Sequence, residues 1–281
     1  MDITKYINYE QCKKLESSKV AKEIRKDFPF YESLMITPKG SRLKMLGSSV
    51  KTDKEIDGVK EQISVLYLAP STDSEYGFNA CPKAGKCTGS CLQWSGRMAF
   101  HYENRVKKTR AFVAYTTRFI EELLRDIALK AYQSYLNGYG LWVRLNGTSD
   151  FMFEKYIKMD LLVADLMGLN GFYDYTKFPL RSRQPSKHYH LSFSVDEQKN
   201  SLSYARQWLK AGYPAVIVLD KDDYKIALND SRIVNGDKND ARFYDNNSIV
   251  VLKAKRLFGN GEYQADGLIR SLNEVQALLS A

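Results

Sequence analysis

Ile63-Ser64-Val65-Leu66-Tyr67-Leu68-Ala69 is the stretch that decides the fold class, because it opens a series of short apolar runs along the chain. Pro70 stops it, and comparable runs follow at 140–145, 171–176, 190–195, 215–219 and 248–252. Runs of this length, bounded by Gly, Pro, Asn or Asp, read as buried strands. Between them lie segments of helical spacing. The clearest covers 116–136, with Phe119, Leu123, Ile127 and Ala131 three to four residues apart. Further helices are expected at 92–105, 153–169, 202–211 and 267–279. Strands alternating with helices call for a mainly parallel sheet with helical crossovers. The expected fold is therefore α/β, a partial or complete (β/α) barrel. Residues 1–60 read as a helical and loop-rich N-terminal extension, and 61–281 as the barrel-like domain.

In barrels of this kind the reactive groups gather where the strands end. The expected exits are polar at every turn: the cysteine loop that follows 63–69, then Asn146-Gly147-Thr148-Ser149-Asp150, Tyr175-Thr176-Lys177, Ser192 to Glu197, and Asp220. A purely structural sheet has no need of so many polar exits, and a shared site accounts for them.

The first exit carries the strongest chemical signal. Cys81, Cys87 and Cys91 fall within eleven residues on a loop that also holds Pro82, Gly85 and Gly89. Clustered soft thiolates suit iron–sulfur or zinc binding. Three thiolates with no fourth nearby would hold a 4Fe-4S cluster and leave one iron open. The alternative is a zinc knot completed by His101. That histidine lies ten residues past Cys91, roughly 15 Å along a helix, which disfavours it. Cys12 stands alone in a charged segment and reads as an ordinary thiol.

Composition bounds the remainder. The chain has 281 residues, enough for a substantial core, and a globular balance of apolar and charged residues. No apolar run reaches the length of a membrane span, and the first residues lack the apolar core of a signal peptide. A cytoplasmic protein is expected, in which cysteines serve metal binding or catalysis rather than disulfides. The net charge of +9, with Arg97, Arg105, Lys107, Lys108 and Arg110 interleaved by Trp94, Phe100 and Tyr102, raises nucleic acid or a nucleotide as a partner. A merely solubilising lysine-rich surface fits the charge equally well.

The other candidates are weaker. Ser149 or Asp150 suits a helix N-cap as well as a ligand contact. Ser192 and Ser194 share one strand face, and Lys177 ends a strand pointing toward the expected site. His188 and His190 read as structural. In the acidic segment 235–245, Asp237 is a candidate substrate contact and Asp240 and Arg242 are expected to pair. No calcium-loop spacing, phosphate loop or zinc-protease signature is present.

The cysteine triplet after the first strand of a (β/α) barrel resembles the radical S-adenosylmethionine enzymes, although its Cys-x5-Cys-x3-Cys spacing departs from their usual CxxxCxxC. A broader resemblance covers most of residues 60–256. Leu68-Ala69-Pro70, Asn79 with Cys81-Pro82, Cys87, Cys91-Leu92, Gly96-Arg97, Arg144-Leu145-Asn146, Ser149-Asp150, Tyr175-Thr176-Lys177, Gly236-Asp237 and Asp240-Ala241-Arg242-Phe243 resemble the bacteriophage gene product 88 family. The radical-enzyme resemblance implies S-adenosylmethionine as cofactor, met by Thr148, Ser149 and Asp150 at its ammonium and by Ser192 or Ser194 at its ribose. Lys177 and Asp237 are then the candidate catalytic residues, and a phage or host nucleotide, nucleic acid or other substrate is expected in the cytoplasm of an infected bacterium. The rival expectation is a non-catalytic nucleic-acid-binding protein with a structural metal.

Overall fold

The computed structural model describes residues 2–37, 39–47, 53–56, 58–89, 91–255 and 268–280. They form two compact units. One comprises Met1–Cys81, His101–Phe172 and Lys187–Tyr189; the other comprises Pro82–Phe100, Tyr173–Ser186 and His190–Ala281.

The first unit opens with α1 (Tyr9–Glu16), α2 (Lys19–Asp27) and α3 (Tyr31–Leu34). Asn8 and Ser18 begin α1 and α2 by accepting the free Gln11 and Ala21 amides, so the helical part of the extension opens with two separately capped helices. Next come β1 (Leu46–Gly47), β2 (Asp53–Ile56), β3 (Val59–Leu66), α4 (Tyr102–Ala114), α5 (Thr116–Leu136), β4 (Gly140–Arg144), α6 (Met159–Asp165) and β5 (Leu169–Thr176), the last ending in the second unit. β3, β4 and β5 run parallel, while β1 and β2 pair with β3 antiparallel. α5 has the bounds its periodicity predicted, and Phe119, Leu123, Ile127 and Ala131 are all fully buried. Ser134 of α5 donates to Gln62 of β3 at 2.6 Å, and Asp126 accepts the Leu46 amide at 3.1 Å, which fixes the helix against the sheet.

Two helical expectations give way. Residues 92–101 form short 3-10 turns, Leu92–Trp94 and Gly96–His101, before α4 starts at Tyr102. The expected helix at 153–169 is a 3-10 turn followed by the seven-residue α6. Ile157 is drawn into a β-bridge with Ile7, and the Lys158 amide donates to Tyr6, so the chain is extended there.

In the second unit, β5 is followed by β6 (Tyr189–Ser194), α7 (Ser201–Lys210), β7 (Ala215–Leu219), α8 (Lys221–Ala227), β8 (Ile233–Asn235), β9 (Ile249–Lys253), β10 (Ile269–Arg270) and α9 (Leu272–Leu279). The strand order is β5-β6-β7-β9-β8, and the register of β6, β7, β8, β9 and β10 is parallel throughout. Trp208 of α7 stacks on Phe193 with ring centroids 6.3 Å apart and donates its indole N–H to the Phe178 carbonyl, sealing one face of β6.

All six runs singled out in the sequence contain strands, and the fold is α/β with a mostly parallel sheet. The strand order does not close among the described residues, so no closed barrel is formed. One end is an antiparallel edge at β1 and the other is the three-residue β8; neither supplies the partner that closure needs. The last helix is shorter than expected, starting at Leu272 behind a Ser271–Glu274 capping box.

Candidate functional site

In the first unit, the ends of β3 and β4 lie side by side because the two strands are parallel and in register. The turn after β4 is built by Asn146. Its side-chain oxygen accepts from the Ser149 hydroxyl and the Phe151 amide, both at 2.8 Å, and its amide group donates to the Phe151 carbonyl at 2.9 Å. Thr148 donates its hydroxyl to the Leu68 carbonyl at 2.5 Å. Gly147 is required by packing, since a Cβ there would lie 2.5 Å from the Tyr67 ring and 2.7 Å from Val65. Phe151 then enters an aromatic cluster with Phe78, Phe112, Phe153 and Tyr156, which anchors the far end of the turn.

Cys81 sits against this turn. Its thiol lies 3.7 Å from the Thr148 carbonyl, and the Asp150 amide donates to the Ala80 carbonyl at 3.0 Å. Cys81 and the Thr148-Ser149-Asp150 segment are thus brought together at the strand exits, as their positions in the sequence suggested. Asp150 is nearly buried and caps no helix: the next helical turn, Phe153–Lys155, starts after Met152 without a side-chain cap. The expectation of a simple N-cap is thereby corrected. The turn's organiser is Asn146, whose polar type at a strand exit was its only signal in the sequence.

In the second unit, Cys87 lies on the 3-10 turn Gly85–Thr88, half-buried, and Cys91 is buried just beyond it. This segment is tied to the end of β6. Glu197 Oε1 accepts the Lys86 amide at 2.8 Å, and Gln198 Nε2 donates to the Lys83 carbonyl at 3.1 Å. Asp196, almost wholly buried, accepts both the backbone and side-chain N–H groups of Gln198 and lies 3.5 Å from Lys177 Nζ at the end of β5. Lys177 is likewise buried, with a tenth of its side chain exposed. Asp196, Glu197 and Gln198 were visible in the sequence only as a polar run after an apolar strand.

Ser192 and Ser194 share the β6 face opposite Phe193, as alternation required. Ser192 is fully buried, and its hydroxyl has no hydrogen-bond partner among the described residues. The histidine on this face, His190, is held neutral, burial pushing its pKa down to about 4. Neighbouring Tyr173 and Tyr175 both donate to Asp240, at 2.9 and 3.4 Å. Buried Arg242 pairs instead with Asp245 at 2.9 Å, so the expected Asp240–Arg242 clamp is replaced by two separate pairs. Asp237 accepts the Lys253 amide at 2.8 Å at the end of β9. Asp220, one of the polar exits, caps α8 by accepting the Asp222 and Asp223 amides.

The basic cluster after the cysteines is largely turned inward. Arg105 and Lys108 are buried, Lys107 donates to the Ile36 carbonyl, and Arg110 pairs with Glu75 and donates to the Ser74 carbonyl. Lys107, Lys108 and Arg110 have partners within their own unit; the Arg97 side chain lies outside the described residues. Cys12, which the sequence suggested to be an ordinary thiol, is instead fully buried, and burial pushes its thiol up to about 12.

Residues 43–269 match the family model described as gene product 88. The chain belongs to the bacteriophage gene product 88 family. No curated protein and no solved structure matches it. Every candidate discussed above, from Cys81 to Asp237, lies inside the family match, whereas α1, α2 and α3 precede it. Among the described residues, no three His, Cys, Asp or Glu side chains converge closely enough to hold a metal ion, and no helix is long and apolar enough to cross a membrane.

Proposed function

We propose that this member of the gene product 88 family is an iron–sulfur protein, with Cys81, Cys87 and Cys91 as the thiolate ligands of a 4Fe-4S cluster. The observation that carries the proposal is the cysteine triplet itself, set in the connection that follows a parallel strand of an α/β sheet. The described side chains do not converge on a metal, so the support is the donor set and its place in the chain. Zinc is the alternative metal for the same thiolates.

The finer proposal is a radical S-adenosylmethionine-type enzyme in a barrel-like domain, 61–281, preceded by the 1–60 extension. Its substrate would be a nucleotide, nucleic acid or other phage or host molecule, and its setting the cytoplasm of an infected bacterium. Asp150 is the cofactor contact with most in its favour: it is nearly buried and belongs to the turn beside Cys81. Thr148 and Ser149 offer lone pairs while their protons are engaged by the Leu68 carbonyl and the Asn146 side chain. Ser192, whose buried hydroxyl has no hydrogen-bond partner among the described residues, is the best placed of the proposed ribose contacts, ahead of Ser194. Lys177 and Asp237 are the proposed catalytic residues, Asp237 as a substrate contact.

The second reading is a non-catalytic nucleic-acid-binding protein with a structural metal, favoured by the net charge of +9. Reconstituted protein given S-adenosylmethionine and dithionite separates the two. Formation of 5′-deoxyadenosine is expected of the enzyme. Salt-dependent DNA binding with no cleavage of the cofactor would overturn it in favour of the binding protein.

A further inference from the structure

The cysteine turn is held by a device that the cysteines themselves do not supply. Lys86 immediately precedes Cys87, and its amide points at Glu197 Oε1, 2.8 Å away. Within the same turn, the Cys87 amide returns to Ala84 and the Gly89 amide to Lys86. The Glu197 carboxylate is therefore a tie from this turn to the segment that follows β6. Gly85 is shaped to it. Its φ of +54° lies in the left-handed region, and a Cβ there would come within 2.5 Å of the same carboxylate oxygen. The close approach of Glu197 and the backbone of Gly85 needs both a bare α-carbon and an unusual dihedral, and the chain provides both.

The neighbours of Glu197 extend the tie. Gln198 Nε2 donates to the Lys83 carbonyl on one side and to Asp196 Oδ2, at 2.8 Å, on the other. Asp196 Oδ2 also faces Lys177 Nζ at 3.5 Å. Three consecutive residues at the end of β6 thus grip the backbone ahead of Cys87 and the ammonium at the end of β5.

We propose that Asp196-Glu197-Gln198 is a latch that positions the Cys87 thiol relative to Lys177, with Glu197 as its principal positioning residue and Gly85 as its receiving surface. Its importance for metal binding rests on the iron–sulfur reading above; the latch itself does not. A loop held by a charge-assisted bond to an ionised carboxylate spends little time open, and removal of the acceptor raises the open population. Glutamine at position 197 keeps an acceptor oxygen in place. Alanine does not.

The test uses the full chain, reduced and metal-free, and reads two things: exchange of the Lys86 amide, and alkylation of Cys87 by N-ethylmaleimide followed by peptide mass spectrometry. Cys12, buried in the first unit, is the internal control for folding. In Glu197→Ala, Lys86 exchange is expected to accelerate by about tenfold or more, from the usual strength of such a bond. Cys87 alkylation should rise with it while Cys12 stays protected, and Glu197→Gln should return both rates to within about twofold of the parent. Unchanged Lys86 exchange in Glu197→Ala overturns the latch. If Cys12 becomes reactive in that variant, Gly85→Ala carries the same comparison with the same two outcomes. Iron uptake is scored separately. A loosened turn in a protein that takes up no iron upholds the latch and refutes the iron–sulfur reading, whereas iron uptake with an unchanged turn does the reverse.

Discussion

Lys108 shows at the scale of one residue how this chain spends its positive charge. Its side chain is buried on α4, with the Met45 carbonyl 3.2 Å from its ammonium and the charge of Asp126 in reach. Burial is the larger effect and lowers its pKa from 10.5 to about 8. For a base lowered in the folded state, the unfolded chain holds more protons between those two values, so stability rises with pH across that window. The shift corresponds to about 3 kcal/mol as an order of magnitude. In Lys108→Met, urea unfolding from pH 7.5 to 10.5 should lose that rise, and the variant should be at least as stable as the parent at pH 7.5. An unaltered slope would show that Lys108 titrates as an exposed lysine. Summing such a residue into a net charge of +9 overstates what the surface can offer a polyanion.

At the scale of elements, the turn after β4 is where packing and site meet. Gly147 leaves no space for a side chain between Tyr67 and Val65, and the turn beyond it holds Asp150 beside Cys81. Gly147→Ala should therefore cost about 1–3 kcal/mol, the usual range for overpacking a filled site. Urea denaturation would show it as a lower midpoint with little change in slope; no loss would mean that Tyr67 moves aside freely. The strands and α5 were legible in the sequence because each depends on its own pattern: apolar runs for the strands, and the spacing of Phe119, Leu123, Ile127 and Ala131 for the helix. The interruption of the expected helix at 153–169 was not legible, because it follows from a bridge between Ile157 and Ile7, far apart in sequence. The same holds for the site. Cysteines announce their chemistry by type and spacing. Glu197 acquires its part only by meeting a backbone amide more than a hundred residues away. Asp240 and Arg242, two apart in sequence, suggested a pair, yet each finds a better partner, Tyr173 and Asp245 respectively.

At the scale of the whole molecule, the family match, the α/β fold and the mostly parallel sheet establish the setting, and the cysteine triplet carries the proposed chemistry. The first unit holds Cys81 against the Asp150 turn, and the second holds Cys87 by the Glu197 latch. The measurement that bears most directly on the central claim is metal and sulfide analysis of the full chain, purified under strict anoxia, beside Cys87→Ala. The parent should be brown, with iron and acid-labile sulfide in equal amounts near about four per chain, the composition of a 4Fe-4S cluster. Cys87→Ala should lose most of both while remaining folded. Stoichiometric zinc without iron, or a metal-free parent, would contradict the claim.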